Sequence, residues 1–271
     1  MLGAIIGDIA GSRFEFDNIR SKDFDLFAED CRATDDSIMT IAVAKAILAC
    51  NGDWEHLGYN AVKYMREIGR KYPHCGFGGM FRRWMFSDQP EPYNSYGNGA
   101  AMRVSPCGFI AHTEDEAKTL SRKVTEVTHN HHEGLKGAEA VSIAIFMARN
   151  GAAKNEIKER IEKDYYALNF TLDSIRKNYQ FNETCQGTVP QAIEAFLESV
   201  SFEDAVRGAI SIGGDSDTLA AITGSIAEAH YGVPAEIKSR ALSYLDSTLL
   251  TLYKEWEKFF ETLPCYSNGG K

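Results

Sequence analysis

The sequence has no surplus of positive charge. Its 29 lysines and arginines face 38 aspartates and glutamates, for a formal net charge of −9. That balance argues against a non-specific grip on nucleic acid or on an anionic membrane, so neither is expected as a partner. Paired metal-binding cysteines are also missing. The six cysteines, at 31, 50, 75, 107, 185 and 265, contain no CxxC, and their scatter fits buried, reduced thiols in a cytosol. No apolar run approaches membrane-spanning length. The start, Met1 to Gly7, has the apolar character of a signal peptide, but no basic segment precedes it and Asp8 interrupts it. It therefore reads as mature structure. Linkers, low-complexity segments and repeats are absent, and so is any run of alternating apolar and polar residues long enough for a strand. The expectation is a cytoplasmic, all-α protein with one domain over residues 1–271, long enough to bury roughly three quarters of its unfolded surface.

What the sequence does contain is organised around Ile212–His230. Its second half, from Leu219 to Ala229, is apolar or small on nearly every side, which suits a helix buried in a larger protein. Its first half places Asp215, Asp217 and the Thr218 hydroxyl where that helix should begin. An aspartate there caps free N–H groups and faces the positive end of the helix dipole. Capping accounts for one aspartate and not for two. Residues two apart do not share a helix face, so both converge only if Gly213-Gly214 bends the backbone first. The design recurs at Thr34-Asp35-Asp36-Ser37, ahead of another apolar, small-residue helix over 34–50. Either cluster alone reads as an N-cap. Together, four buried carboxylates would repel one another unless a cation joined them, and hard oxygen ligands suit a Mg²⁺-like ion. These residues point to a two-metal oxygen site.

The rest of the chain reads as helix after helix. Residues 2–11 form a short segment, followed by a loop with Phe14, Glu15 and Phe16 and a charged stretch to Asp30. Asp53 is a candidate cap for a helix over 54–69, and Gly76-Phe77-Gly78-Gly79 leads into Met80–Phe86. A small-residue segment follows from Ala100 to Ile110. Thr113 and Glu116 fit a capping box for 114–127, and His129-Asn-His-His-Glu133 leads into a long helix up to Asn150. Further helices are expected at Lys154–Tyr165, after Thr171, around Thr188-Val-Pro190 with the proline in the first turn, after Ser201, after Pro234 and at Thr248–Thr262. Many of the 23 glycines fall inside helical patterns, where each costs about 1 kcal/mol. That cost is tolerable if glycine lets helices approach closely around a buried site.

Four smaller constellations add chemistry. Glu15 is either a surface glutamate or a group that ligates metal or orients water. Ser95-Tyr96-Gly97-Asn98-Gly99, ahead of a helix, is either a plain turn or a source of backbone N–H groups for phosphate, and the Gly78 region is a weaker signal of the same kind. His129, His131 and His132 lack zinc spacing and fit a helix-start histidine bonded to a neighbour. An isoprenoid-type Asp-Asp-x-x-Asp/Glu site fails, because Met39 occupies its last position.

Five strings occur in one order: Gly7-Asp8-x-x-Gly11-Ser12-x-x-Glu15, Thr34-Asp35-Asp36-Ser37, Ser95 through Gly99 to Met102-Arg103, Thr128-His129, and Gly213-Gly214-Asp215-Ser216-Asp217-Thr218. Together they resemble the ADP-ribosylglycohydrolase family over nearly the whole chain, with Ser37 where many members have threonine. The resemblance implies an all-helical domain with two Mg²⁺ or Mn²⁺ ions in a cleft, held by Thr34, Asp35, Asp36, Asp215, Asp217 and Thr218. It implies catalytic roles for Glu15, Asp35 and Asp36, a pyrophosphate cradle at Ser95, Tyr96, Gly97, Asn98 and Gly99, and His129 near the nucleotide. The implied partner is an ADP-ribosylated protein or a small ADP-ribose conjugate. The Ser95–Arg103 string stands closer to the ADP-ribosylserine hydrolases, while arginine, serine and ester linkages all occur in the family. A glycosidic bond at the anomeric ribose carbon breaks through an oxocarbenium-like state usually managed by two carboxylates. Here metals could replace one, leaving Glu15 as acid–base or positioning group. A non-catalytic ADP-ribose reader is the alternative, although such proteins often lose a ligand and this chain keeps each one.

Overall fold

The computed structural model describes residues 1–262. Cys265 and the end of the expected 1–271 domain lie outside the described residues. Among these, helices follow one another with no strand: α1 (Leu2–Gly11), α2 (Asp35–Cys50), α3 (Leu57–Gly69), α4 (Gly79–Phe86), α5 (Ser105–Ile110), α6 (Glu114–Thr125) and α7 (His132–Arg149). The second half continues with α8 (Lys154–Asp164), α9 (Leu172–Ile175), α10 (Cys185–Glu198), α11 (Phe202–Ile210), α12 (Ser216–Tyr231), α13 (Ala235–Leu242) and α14 (Ser247–Glu261). The only β-type pairing among the described residues is an isolated bridge between Gly97 and Thr184. The all-α expectation holds.

At the centre lies α12, buried from Ser216 to Ala227, as its lack of a polar face requires. It is crossed by α1, whose ten residues are all buried. Gly3, Gly7 and Gly11 recur at every fourth position of α1, on one face. A side chain at Gly3 or Gly7 would collide with the backbone of Gly224 or Ala220, and a Cβ at Gly11 would sit 2.6 Å from the Asp217 Cα. The glycines let two backbones touch, which no larger residue at these positions would allow. The consequence for the site is direct, because Asp8 of α1 is brought against the opening of α12. On the other side α2, also apolar on most faces, is buried from Asp36 to Ile47 with few breaks. A core of Ile, Leu, Val, Ala and Phe side chains runs continuously through these helices.

Several boundaries differ from the sequence expectation, each for a local reason. Helix α3 starts at Leu57 rather than 54, because Asp53 accepts a hydrogen bond from the Glu55 N–H (3.0 Å) in a turn of its own. The 100–110 segment divides into a 3-10 turn, Asn98–Ala100, and α5. At α6 the Thr113 hydroxyl caps Glu116 N–H (3.1 Å), but Glu116 reaches the His112 N–H (2.6 Å) instead of the Thr113 N–H. Helix α10 begins at Cys185, capped by Thr184, so Pro190 sits inside it and not in the first turn. Its missing N–H leaves the Gln186 carbonyl without a helical partner, and Gln186 is exposed to water. The long helix α7 begins at His132, with the His131 ring as its cap (3.1 Å to Glu133 N–H). His129 therefore lies in the lead-in to the helix, and His131 is the helix-start histidine bonded to a neighbour.

Candidate active site

The two helix openings meet at a cavity of about 400 Å³, where carboxylate oxygens of Asp36 and Asp217 lie within 4.8 Å of each other. Asp35, Asp36, Asp215, Asp217 and Thr218 line it, together with Glu15, Gly78, Ser95, Gly97, Asn98, Gly99 and His129. Of the residues singled out in the sequence, Thr34 and Tyr96 are not brought to its wall. The Thr34 hydroxyl donates to Asp8 Oδ1 (2.5 Å), and Tyr96 is about half exposed with its ring against His131 (5.1 Å).

The opening of α2 is built on Asp8. One carboxylate oxygen accepts from the N–H groups of Thr34 (2.9 Å) and Ser37 (3.0 Å) and contacts the Ser37 hydroxyl, while the other takes the Thr34 hydroxyl. The Thr34 oxygen in turn caps the Asp36 N–H (3.4 Å). Sequence reasoning gives Asp8 no role in the site. Its signals are its place in the Gly7-Asp8-x-x-Gly11 string and its being an aspartate in an otherwise apolar helix.

The opening of α12 is built differently. Gly213 and Gly214 both adopt positive φ (69° and 78°), the region open to glycine, so the expected bend is present. Asn18 clamps it, accepting from Gly214 N–H (2.7 Å) and donating to the carbonyls of Gly214 (2.9 Å), Phe14 (2.6 Å) and Glu15 (3.1 Å). One amide side chain thus ties the Glu15 loop to the turn ahead of Asp215. Nothing local in the sequence marks Asn18 for that work. Asp215 makes no side-chain cap; its carboxylate accepts from Asn98 Nδ2 (2.6 Å), which also reaches the Thr188 hydroxyl (3.2 Å). The Asn98 side chain is thus committed to the acidic cluster. The N–H groups of Gly97 and Asn98 are likewise engaged, by Ser95 Oγ (3.1 Å) and the Glu183 carbonyl (2.8 Å).

Electrostatically the cluster is strained unless something neutralises it. Burial, then the neighbouring Asp217 and Asp8 charges, hold Asp35 and Asp36 well above the usual carboxylate range. Burial and Asp215 do the same to Asp217. Asp215 is pushed up to about 6, again mainly by burial, with hydrogen bonds from Asp217 and Asn98 opposing the rise. Half-buried Glu15 is pushed up to about 8 by burial and by Asp217. Oxygen atoms of Asp8, Asp36 and Asp217 lie within 4.8 Å of one another, and so do those of Glu15, Asp215 and Asp217. Two carboxylate triads therefore share Asp217, while Asp35 belongs to neither. Asp36 Oδ2 accepts from the Thr218 hydroxyl (3.2 Å), but its Oδ1 is buried with no partner. An orphaned buried carboxylate oxygen among all-oxygen donors fits a hard divalent cation.

The rest of the wall is glycine-rich and carries His129. No methyl group would meet an obstacle within 4 Å at Gly78 or Gly79, so the backbone at the start of α4 lies open. His129 is 5% exposed, and burial and the Arg103 charge hold its ring well below the usual imidazole range, hence neutral. Its Nδ1 lies 2.7 Å from the Thr128 hydroxyl. Among the described residues no helix is long and apolar enough to cross a membrane.

Comparison with known proteins bears on this cleft. The sequence model of the ADP-ribosylglycohydrolase family matches residues 1–262. The chain is similar to the ADP-ribosylhydrolase ARH3 of Gallus gallus, with 27% identity over 73% of this chain and 70% of that one. It is 24% identical to ARH3 of Homo sapiens, covering 95% and 93% of the two chains. With the ADP-ribosylarginine hydrolase Tri1 of Pseudomonas putida (strain GB-1) it shares 25% identity over 86% of this chain and 70% of the relative. Its fold is similar to that of a solved ADP-ribosylglycohydrolase-related protein complex, at TM-score 0.67 and 22% identity over 96% and 97% of the chains.

Proposed function

This chain belongs to the ADP-ribosylglycohydrolase family, and on that premise we propose that it hydrolyses the glycosidic bond at the anomeric ribose carbon of ADP-ribosylated side chains or small ADP-ribose conjugates, releasing ADP-ribose. The observation that carries the reading is the pair of carboxylate triads sharing Asp217, set in one cavity with the glycine wall and a neutral His129. Asp36, Asp215 and Asp217 would hold two Mg²⁺ or Mn²⁺ ions, with Asp8 behind the first triad and Glu15 beside the second, Thr218 orienting Asp36 and Asn98 orienting Asp215. Asp35 and Thr34 stand at the margin of that set, Asp35 on the cavity wall and Thr34 one hydrogen bond behind it. A bound pair of such ions supplies acidified water and an anchor for ribose hydroxyls.

The chain's own groups do the rest. Glu15 sits half-buried at the cavity edge with its pKa pushed up to about 8 by burial and Asp217, as suits an acid at a departing group. Asn18 fixes the Glu15 backbone to the Gly214 turn, so the acid and Asp215 keep one register. The Ser95–Gly99 loop and Gly78 leave room for a pyrophosphate along the rest of the wall. The partners that fit are ADP-ribosylated proteins or small conjugates, with no role for nucleic acid or membrane, in a cytoplasmic setting.

The test is release of free ADP-ribose from arginine-, serine- and acetyl-linked substrates, with Mg²⁺ and with chelator. Release from at least one linkage, abolished by chelator and restored by Mg²⁺ or Mn²⁺, is expected. ADP-ribose binding without turnover of any linkage would turn the protein into a reader; metal-independent turnover would remove the ions from the reaction.

A further inference from the structure

The His129 side of the cavity contains a hydrogen-bond chain that begins at a buried cation. Arg103 is fully buried and faces no carboxylate; its Nη2 donates to the Thr128 hydroxyl (2.6 Å) and to the Val124 carbonyl (3.3 Å). A guanidinium is a pure donor, so the Thr128 oxygen must accept on that side. The Thr128 proton then has two candidate acceptors, the Thr125 carbonyl (3.3 Å) and His129 Nδ1 (2.7 Å). The Thr125 carbonyl already accepts two backbone N–H groups, from Thr128 (3.1 Å) and His129 (2.9 Å), and a carbonyl has two lone pairs. The hydroxyl proton therefore goes to Nδ1, and the proton of the neutral ring sits on Nε2. That atom borders the cavity, 3.5 Å and 3.4 Å from where methyl groups on Gly97 and Gly99 would lie, and no side chain or carbonyl of the described residues meets it.

We propose that Arg103 and Thr128 are positioning residues that lock His129 as a neutral donor, its Nε2–H aimed past Gly97 and Gly99 at an acceptor oxygen of the bound ligand. The assignment of that ligand to ADP-ribose rests on the function proposed above; the locked ring does not. Without Thr128 the ring loses the bond that sets its rotation, and without Arg103 the hydroxyl is free to turn away. The glycines on either side leave the donor uncovered, which explains why the loop is small-residued where its backbone does not demand it: Gly97 has φ −63°, a value a larger residue could adopt.

The experiment uses the full chain labelled with ¹⁵N-histidine, with His129→Asn to assign the ring. Long-range ¹H–¹⁵N spectra of the free protein should show a protonated Nε2 and an unprotonated Nδ1 shifted by an accepted hydrogen bond. Thr128→Val should move Nδ1 to the position of a free lone pair and weaken ADP-ribose binding about five- to tenfold, the scale of one lost hydrogen bond. Thr128→Ser should restore both, and the Mg²⁺-induced rise in Tm should be the same in all three proteins. Arg103→Met should act as Thr128→Val does; should it fail to fold, the Thr128 pair decides. A protonated Nδ1 in the wild type, or an Nδ1 unmoved by Thr128→Val, would overturn the proposal. A moved Nδ1 with unchanged affinity would overturn its ligand half. Wild-type protein that binds no ADP-ribose would instead refute the proposed function, and the spectra of the free protein would still decide the lock.

Discussion

The openings of α2 and α12 look alike in sequence, each a hydroxyl-and-carboxylate cluster ahead of a buried, small-residue helix, and they turn out to be opposites. At α2 the charge that organises the turn comes from outside it: Asp8 of α1 takes the N–H groups of Thr34 and Ser37 and the Thr34 hydroxyl. At α12 the turn is made by two positive-φ glycines and the Asn18 clamp, and the aspartates are left to point elsewhere. Asp8 is a carboxylate saturated with protein donors. Asp36 and Asp217 are not, since one oxygen of Asp36 is buried without a partner and Asp217 accepts only a single N–H, from Thr218 (3.0 Å), beside the proton it shares with Asp215. A carboxylate satisfied by the protein stabilises the fold; one left unsatisfied is held in reserve for a ligand.

The variant that should break this comparison most sharply is Asp217→Asn. Asparagine keeps the shape and one ligand oxygen but removes a charge from both triads. Activity should fall by at least about a hundredfold, the upper end of what loss of a supporting metal contact does, while Tm in chelator holds or rises as repulsion is relieved. The Mg²⁺-induced rise in Tm should shrink. Steady-state assay and thermal melts read the two effects, and a fully active Asp217→Asn enzyme would sink the two-ion reading.

Asp8→Ala should do the reverse. It strands two buried N–H groups, and each unsatisfied donor costs about 1–3 kcal/mol. Stability should therefore fall by about 2–6 kcal/mol with or without metal, measured by urea unfolding in chelator and in Mg²⁺. A loss that appears only when Mg²⁺ is present would mean that Asp8 serves the ion and not the turn.

How much of this is legible in sequence follows from the same contrast. Features that are local can be read: the caps at Thr34, Thr113 and Thr171, the bend at Gly213-Gly214, and the burial of an α12 with no polar face. The two openings can be paired because each carries its carboxylates within four residues. What cannot be read depends on who packs against whom. Asp8 matters because α1 lies against α12 through Gly3, Gly7 and Gly11, and Asn18 matters because its loop folds back on Gly214. The resemblance implies that Thr34 holds an ion and that the Ser95–Gly99 loop cradles a pyrophosphate; in the fold the Thr34 hydroxyl turns to Asp8 and the Asn98 side chain to Asp215, partners distant in sequence. The displaced start of α10 has a local cause: Pro190 carries a familiar first-turn signal, but Thr184 caps earlier and the helix absorbs the proline.

A smaller effect sharpens the α12 side. Gly214→Ala puts a side chain at φ 78°, where it also strikes the Tyr179 ring. Such backbone strain costs about 1–3 kcal/mol. Because the turn positions Asp215, the loss of stability should be accompanied by weaker Mg²⁺ response, read as a reduced metal-dependent shift in Tm. Gly78→Ala, on open wall with nothing within 4 Å, is the control that should leave Tm unchanged.

The smallest expected effect is also the one that separates repulsion from capping without any mutation. Glu15 and Asp215 are pushed up to about 8 and about 6, and Asp36 and Asp217 also lie above the usual range. An acid whose pKa is higher in the folded than in the unfolded chain binds more protons when folded. Stability then falls as pH rises from the unfolded value, about 4, through the folded one. In chelator, Tm should decline between pH 5 and pH 8.5, by about 2–4 °C if the net effect is near 1 kcal/mol. Divalent ions bind the deprotonated carboxylates, so the Mg²⁺-induced rise in Tm should grow over the same interval and offset the decline. Carboxylates held below their usual range, such as Asp204 beside Lys22 and Glu257 beside Lys238, act in the opposite sense but finish titrating below that window. Asp217→Asn should flatten the decline, since it takes one charge out of both triads. A Tm in chelator that stays level or climbs from pH 5 to pH 8.5 would mean that the protein satisfies the charged form of the carboxylates at α12, and the difference between the two openings would vanish.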